Sequence, residues 1–177
     1  MNEIELLAPA KNIETAIAAI NSGADAIYIG ASDFGARKNA PNTLHDIEQL
    51  VIYAHKFYVR VHVAINTILN DAELVKAIDL VKNLYNIGVD AIIIQDMGLL
   101  KAAIDGKLPP IEIHTSTQCD TRTLSKAKFF DKLGVSRIIL ARELSIDKIS
   151  EICENTTCDI ETFIHGALCV SYSGQCY

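Results

Sequence analysis

Gly23-Ala24-Asp25-Ala26-Ile27-Tyr28-Ile29-Gly30 returns twice along the chain, as Gly88-Val89-Asp90-Ala91-Ile92-Ile93-Ile94-Gln95 and as Gly134-Val135-Ser136-Arg137-Ile138-Ile139-Leu140-Ala141. The glycine of each copy can take the left-handed conformation that ends a helix. The β-branched run behind it suits a strand covered on both faces, so each copy reads as a helix-to-strand junction. Helical periods fill the gaps: Ile13, Ala16, Ile17, Ile20; Ile47, Leu50, Val51, Ala54; Leu74, Ile78, Val81, Leu84; Ala127, Phe130, Leu133; and Ile146, Ile149, Ile152. Working outward, strands are predicted at 3–8, 25–30, 60–66, 91–96, 111–116, 137–141 and 159–165. Strand and helix alternate throughout, which implies an α/β fold with a parallel sheet and right-handed crossovers.

Side-chain parity favours a closed barrel over an open sheet. Arg60, His62 and Asn66, then Glu112, His114 and Ser116, then Glu161, Phe163 and His165 occupy one parity of their strands, while Val61, Val63, Ile65, Ile111, Ile113, Ile160 and Ile164 occupy the other. Such a row has no place between the two helical layers of an open sheet. Inside a barrel, alternate strands fill one layer, and Arg60, Glu112, Glu161 and Glu5 could neutralise one another there or stay solvated at the lower rim. The expected fold class is therefore a (β/α)8 TIM-type barrel, truncated after about seven β/α units. Residues 1–177 are expected to form a single barrel domain, the N-terminal part of a longer protein, whose open edge invites pairing as a homo-oligomer.

Composition narrows the function. The net charge of −6 gives no general attraction for nucleic acid, so an RNA contact needs a local basic patch or further sequence. The apolar runs stop far short of a bilayer span and the N-terminus lacks a signal pattern, so no membrane role is expected and the location reads as cytoplasmic. Five cysteines without small-secreted-domain spacing read as reduced thiols. Cys153 and Cys158 fit plain packing.

In parallel barrels the working residues sit where strands run into the following helices. The polar residues at those places are Arg37, Asn66, Gln95, Asp96, His114, Gln118 and Arg142 as candidates for substrate binding, and His114, Gln118, Arg142, Glu143 and His165 as candidates for catalysis. Asp96 and Ser145 equally fit helix N-caps, and Arg142-Glu143 fits a rim ion pair. The segment His165-Gly166-Ala167-Leu168-Cys169-Val170-Ser171-Tyr172-Ser173-Gly174-Gln175-Cys176 is the most informative. Its Ser, Tyr and Gly run is unfit for a regular helix and could fold Cys169 and Cys176 towards one metal centre, because thiolates select zinc, copper(I) or iron–sulfur clusters. A closed site needs about four ligands, so His165, Cys119, a partner chain or further sequence would complete it. A Cys169 nucleophile with His165 or His114 as base is the competing reading, and a structural cysteine a third.

Glu5-Leu6-Leu7-Ala8-Pro9, Gly23 to Gly30, Phe34-Gly35-Ala36-Arg37, Val63-Ala64-Ile65-Asn66-Thr67, Gln95-Asp96-Met97-Gly98, His114-Thr115-Ser116-Thr117-Gln118, Leu140 to Ser145, and His165 to Cys169 with Tyr172 to Cys176 resemble, in order and end to end, the blocks of peptidase family U32, the collagenase-like protease family. The family name implies a peptidase, metal- or cysteine-dependent. Similar proteins act in oxygen-independent hydroxylation of a tRNA uridine, of a ribosomal RNA cytidine or, as paired subunits, of the ubiquinone ring.

The resemblance implies a four-iron four-sulfur (4Fe-4S) cluster on four cysteines, of which Cys169 and Cys176 match the first two. The other two would lie beyond Tyr177, so this piece would hold no cluster and show no activity by itself. It further implies RNA or peptide as substrate, and a small anionic metabolite such as prephenate bound by His114, Gln118, Arg142 and His165. A non-catalytic subunit of a hydroxylation complex is the remaining alternative. Gln175 leans towards the ribosomal RNA branch. Tyr58 stands where the family has a helix-closing glycine, Thr43 where an aromatic is common after Asn42, and Cys119 where no thiol is expected.

Overall fold

The computed structural model describes residues 4–32, 34, 42–166 and 169–175. The chain divides into two compact units, Met1–Ile111 and Glu112–Tyr177. The first holds β1 (Leu7–Ala10), α1 (Ile13–Asn21), β2 (Ala26–Gly30), α2 (Leu44–His55), β3 (Arg60–Ile65), α3 (Asp71–Asn86), β4 (Ala91–Ile94) and α4 (Met97–Ile104). The second holds β5 (Glu112–Thr115), a 3-10 turn (Thr117–Cys119), α5 (Leu124–Lys132), β6 (Arg137–Ile139), α6 (Ile146–Asn155) and β7 (Asp159–Glu161). β1 to β4 pair in sequence order and all parallel, as do β5 to β7. This is the β/α alternation of TIM-type barrels, carried through seven strands.

The junction glycines act as their spacing predicts. Gly23, Gly88 and Gly134 have φ of 96°, 88° and 80°, the left-handed turn that releases the chain from α1, α3 and α5 into the next strand. α2 closes instead on Tyr58, at φ 60° and 94% exposed. Helix starts follow an equally local rule. Asn12, Thr43 and Asn70 each make a reciprocal capping box with the side chain three positions on, Thr15, Asp46 and Glu73. The threonine that replaces the usual aromatic after Asn42 is thus the N-cap of α2.

The apolar strands of the first unit are buried on both faces. Ile27, Ile29, Val61, Val63, Ile65 and Ala91 to Ile94 pack with Ile47, Leu50, Val51 and Ala54 of α2 and with Ala77, Val81 and Leu84 of α3. Each large side chain removed from water in this way stabilises by about 1.5–3 kcal/mol before conformational entropy is set against it.

The strands begin and end differently from the sequence expectation. β1 starts at Leu7 because the Leu6 amide donates to Asp25 Oδ2 (2.8 Å) and its carbonyl accepts from Asp25 and Ala26. β7 stops at Glu161, whose carbonyl accepts the Leu140 amide (3.0 Å) as the last rung; Phe163, Ile164 and His165 are exposed.

Polar strand residues do meet ions of opposite sign. In the first unit Arg60 pairs with Glu5 at 3.7 Å. In the second, Arg137 reaches Asp159 (3.4 Å) and Glu161 (3.5 Å), and its register partner His114 lies 3.5 Å from Glu112. Arg137 lies in an otherwise apolar strand sequence, yet it is the buried guanidinium of this row.

Candidate functional site

In the first unit, the carboxyl ends of the strands are held by side chains that face backbone groups. Asn42, 2% exposed, donates through Nδ2 to the carbonyls of Lys11 (3.0 Å) and Gly30 (2.9 Å), tying the ends of β1 and β2 to the start of α2. Asp96 caps α4 by accepting from Leu99 N–H (3.0 Å) and uses its other oxygen for Leu69 N–H (3.1 Å), so one carboxylate locks the β3 and β4 exits together. Asn66 and Gln95 are half-buried at the same ends. Arg37 lies outside the described residues.

The second unit gathers more of the predicted residues. After β5, Ser116 accepts the Gln118 amide (3.1 Å), and the turn ends on Asp120 at φ 52°, a left-handed position that aspartate tolerates better than most residues. Asp120 holds Nε of Arg122. Arg122 in turn stacks over the Tyr172 ring, 5.1 Å from its centroid, and donates through Nη2 to the Ser173 carbonyl (3.2 Å).

After β6, the Arg142 amide donates to Ser173 Oγ (3.3 Å), Arg142 Nη2 donates to the Ser171 carbonyl (3.3 Å), and Glu143 Oε1 accepts the Ser173 amide (2.8 Å). Ser173 is 1% exposed although Cys169 to Tyr172 are exposed. Gly174, at φ 80°, sits so close to the turn after β5 that an added Cβ would lie 2.7 Å from Asp120 Cβ and 3.1 Å from the Gln118 carbonyl.

Burial pushes the Glu143 carboxyl up, but bonds from the Ser173 amide and hydroxyl, its own amide and the nearby Arg122 charge outweigh that and hold it below the usual carboxylate range. It is therefore ionised at neutral pH. Thr115 Oγ1, Gln118 Oε1 and Thr121 Oγ1 are buried without a hydrogen-bond partner among the described residues. An orphaned buried oxygen costs about 1–3 kcal/mol, a cost tolerated where a polar partner enters.

Of the sequence-predicted residues, Gln118, Arg142 and Glu143 come together around the segment that carries Cys169. His114 lies on β5 itself, fully buried, and His165 is exposed after β7. Cys176 lies outside the described residues. Arg122, Asp120, Ser173 and Gly174 escaped the sequence reading as site residues. A clue was available in the Ser-Gly pair, because glycine beside a small hydroxyl residue is what a close backbone approach requires.

Donor chemistry separates the thiols. Burial pushes the Cys119 thiol up to about 11 despite Lys126, so it stays protonated at neutral pH and is a weak nucleophile. Burial together with Asp131 pushes Cys158 up to about 12, and it precedes β7, at the opposite end of the strand from His165. Cys169 is exposed on the tethered segment, which suits a ligand that an incoming metal must reach. No group of three or more His, Cys, Asp or Glu side chains is arranged for a metal among the described residues. No described helix is long and apolar enough to cross a membrane.

β/α alternation with a cysteine-bearing segment tethered at the carboxyl ends of the strands defines a TIM-type barrel protein whose site is built from strand-to-helix connections. A solved structure of a U32 peptidase shares the fold, with TM-score 0.73 at 17% identity, covering 90% of this chain and 68% of that one. The model of peptidase family U32 matches residues 11–177, and the chain belongs to that family.

Among its relatives, the 23S rRNA 5-hydroxycytidine C2501 synthase of Escherichia coli (strain K12) is 54% identical over 176 residues, 99% of this chain and 26% of that protein. The tRNA hydroxylation protein P1 of Bacillus subtilis (strain 168) is 36% identical over 173 residues, 97% of this chain and 41% of that protein. The chain thus spans between a quarter and two fifths of the length of these relatives.

Proposed function

We propose that this chain is part of an enzyme that hydroxylates a base of RNA, with a cytidine of ribosomal RNA as its substrate. The observation that carries the reading is the 54% identity to the rRNA 5-hydroxycytidine synthase, which runs through 99% of the chain. Gln175, in the same segment as the clamped Ser173, leans the same way.

Cys169 and Cys176 would supply two thiolates to a four-iron four-sulfur cluster, and the remaining ligands would come from sequence outside this chain. Such a cluster would supply one-electron redox chemistry without need of oxygen. The chain's own residues have other tasks. Arg142, exposed and bonded to the Ser171 carbonyl, and the exposed His165 after β7 would bind a small anionic metabolite of the prephenate kind as hydroxyl source. The orphaned oxygens of Thr115, Gln118 and Thr121 offer acceptors, and hydroxyl donors, to a polar ligand of that size. Net charge is −6, so RNA would be drawn by local cations such as Arg142 or by parts of the protein outside this chain.

Mass spectrometry of ribosomal RNA from a deletion strain tests the reading. Loss of one oxygen from a single cytidine, restored by the wild-type gene and not by Cys169→Ala, is expected. Unchanged RNA, together with peptide cleavage that disappears in Cys169→Ala, would sink it in favour of a peptidase.

A further inference from the structure

We infer that Arg122, Arg142 and Glu143 form a clamp that fixes the backbone between Cys169 and Cys176 before any metal arrives, with Glu143 as its central positioning residue. The inference rests on the reading of those two thiols as ligands of one metal centre. Segments that bring cysteines to a metal are commonly ordered only by the metal, because no site exists in the free chain.

This segment is different. Among its described residues there is no helix or strand, and a backbone bond runs from Gln175 N–H to the Tyr172 carbonyl (3.1 Å). Yet Ser173 is buried, and its amide, hydroxyl and carbonyl are all engaged, by Glu143 (2.8 Å), the Arg142 amide (3.3 Å) and Arg122 (3.2 Å). These partners come from two separate strand-to-helix connections, after β5 and after β6, so the segment is triangulated and cannot swing on one attachment. Arg142 adds the Ser171 carbonyl, and the missing side chain at Gly174 lets the backbone settle against Asp120 and Gln118. Cys169 precedes and Cys176 follows this pinned stretch.

Two of the three clamp side chains are guanidinium groups bonded to neutral carbonyls. Arg122 is also ion-paired with Asp120, whereas the bond of Arg142 to a neutral carbonyl leaves its positive charge in place, where it would offset part of the negative charge that paired thiolates would bring. Glu143 is the acceptor without substitute: remove it and a buried N–H loses its partner.

The test uses the full-length protein in its metal-free form. Hydrogen exchange at the Ser173 amide should be slowed about a hundred-fold or more relative to an unstructured chain. Glu143→Ala should abolish most of that protection, while Glu143→Gln, which keeps an acceptor oxygen, should restore it. The Val61 amide in the other unit serves as a folding control. After anaerobic reconstitution with iron and sulfide, Glu143→Ala should lose iron to a chelator about ten-fold more readily than wild type, and Glu143→Gln should match wild type.

Should Glu143→Ala fail to fold, Arg122→Met releases the Ser173 carbonyl instead and is expected to act in the same direction. Free-chain exchange at Ser173 in the metal-free wild type overturns the inference, as does a Glu143→Gln variant no better than Glu143→Ala. A wild-type protein that takes up no iron defeats the proposed function, and the exchange measurement still decides the clamp.

Discussion

Tyr58 shows how a single residue can sit against its own backbone preference. Its φ of 60° costs a side chain bearing Cβ about 1–2 kcal/mol, and glycine's larger unfolded-state entropy takes back about 0.5–1 kcal/mol. Tyr58→Gly is therefore expected to stabilise the protein by a net of about 0.5–1 kcal/mol, read as a higher urea midpoint at unchanged slope; a lower midpoint would show that the exposed ring makes a contact worth more than the strain. Asn42 is the opposite case, buried and satisfied. Asn42→Ala leaves the Lys11 and Gly30 carbonyls short of a donor and should cost about 1–3 kcal/mol. The thiols should separate by reactivity. At pH 8 iodoacetamide, followed by peptide mapping, is expected to label exposed Cys153 well before Cys119, whose thiol is pushed up to about 11. The resemblance marked Tyr58 as standing at a helix-closing glycine position, and the structure adds that it keeps the left-handed φ of that position. Asn42 was not legible from the sequence, since nothing in a lone asparagine reveals two carbonyls brought to it by chain segments distant in sequence.

Between elements, Asp131 at the end of α5 ties down the entrance to β7. Its carboxylate accepts from the amide (3.2 Å) and hydroxyl (2.8 Å) of Thr157 and from the Cys158 amide (2.9 Å). Burial pushes its pKa up, but those bonds more than reverse this and hold it below the usual carboxylate value. A depressed folded-state value means that the contribution is present above the unfolded-state pKa and is lost as pH falls through the folded one. The stability gap between wild type and Asp131→Asn should accordingly be full at pH 7 and close as pH drops below about 4; a gap independent of pH would show that the charge is immaterial. The helices, by contrast, were readable one at a time. Periodic apolar faces and closing glycines are local, so α1, α2, α3, α5 and α6 fall where the pattern puts them, while α4, eight residues long, showed no such period. Strand ends were not readable, because β7 stops where its partner strand stops offering a rung, and that depends on β6.

For the whole molecule, the identity that covers 99% of the chain covers 26% of the rRNA 5-hydroxycytidine synthase, so the proposed activity calls on most of that relative's length as well as the matched part. This chain expressed alone is expected to leave RNA of a deletion strain unmodified, whereas the full-length protein restores the modified cytidine; restoration by residues 1–177 alone would require a complete site within them. The amino-acid order alone determined the β/α alternation, the apolar helix faces and the glycines that close α1, α3 and α5, because each follows from spacing within a few turns of chain. Only the tertiary structure decided that Arg137 is a buried ion, that Asp96 bridges two loops, and that Arg122 and Glu143 serve Ser173. Those contacts join residues 22 to 51 positions apart. A hydrogen bond needs its partners within about 3 Å and at the right angle, a condition set by how strands stack side by side and carried by no local pattern of residues.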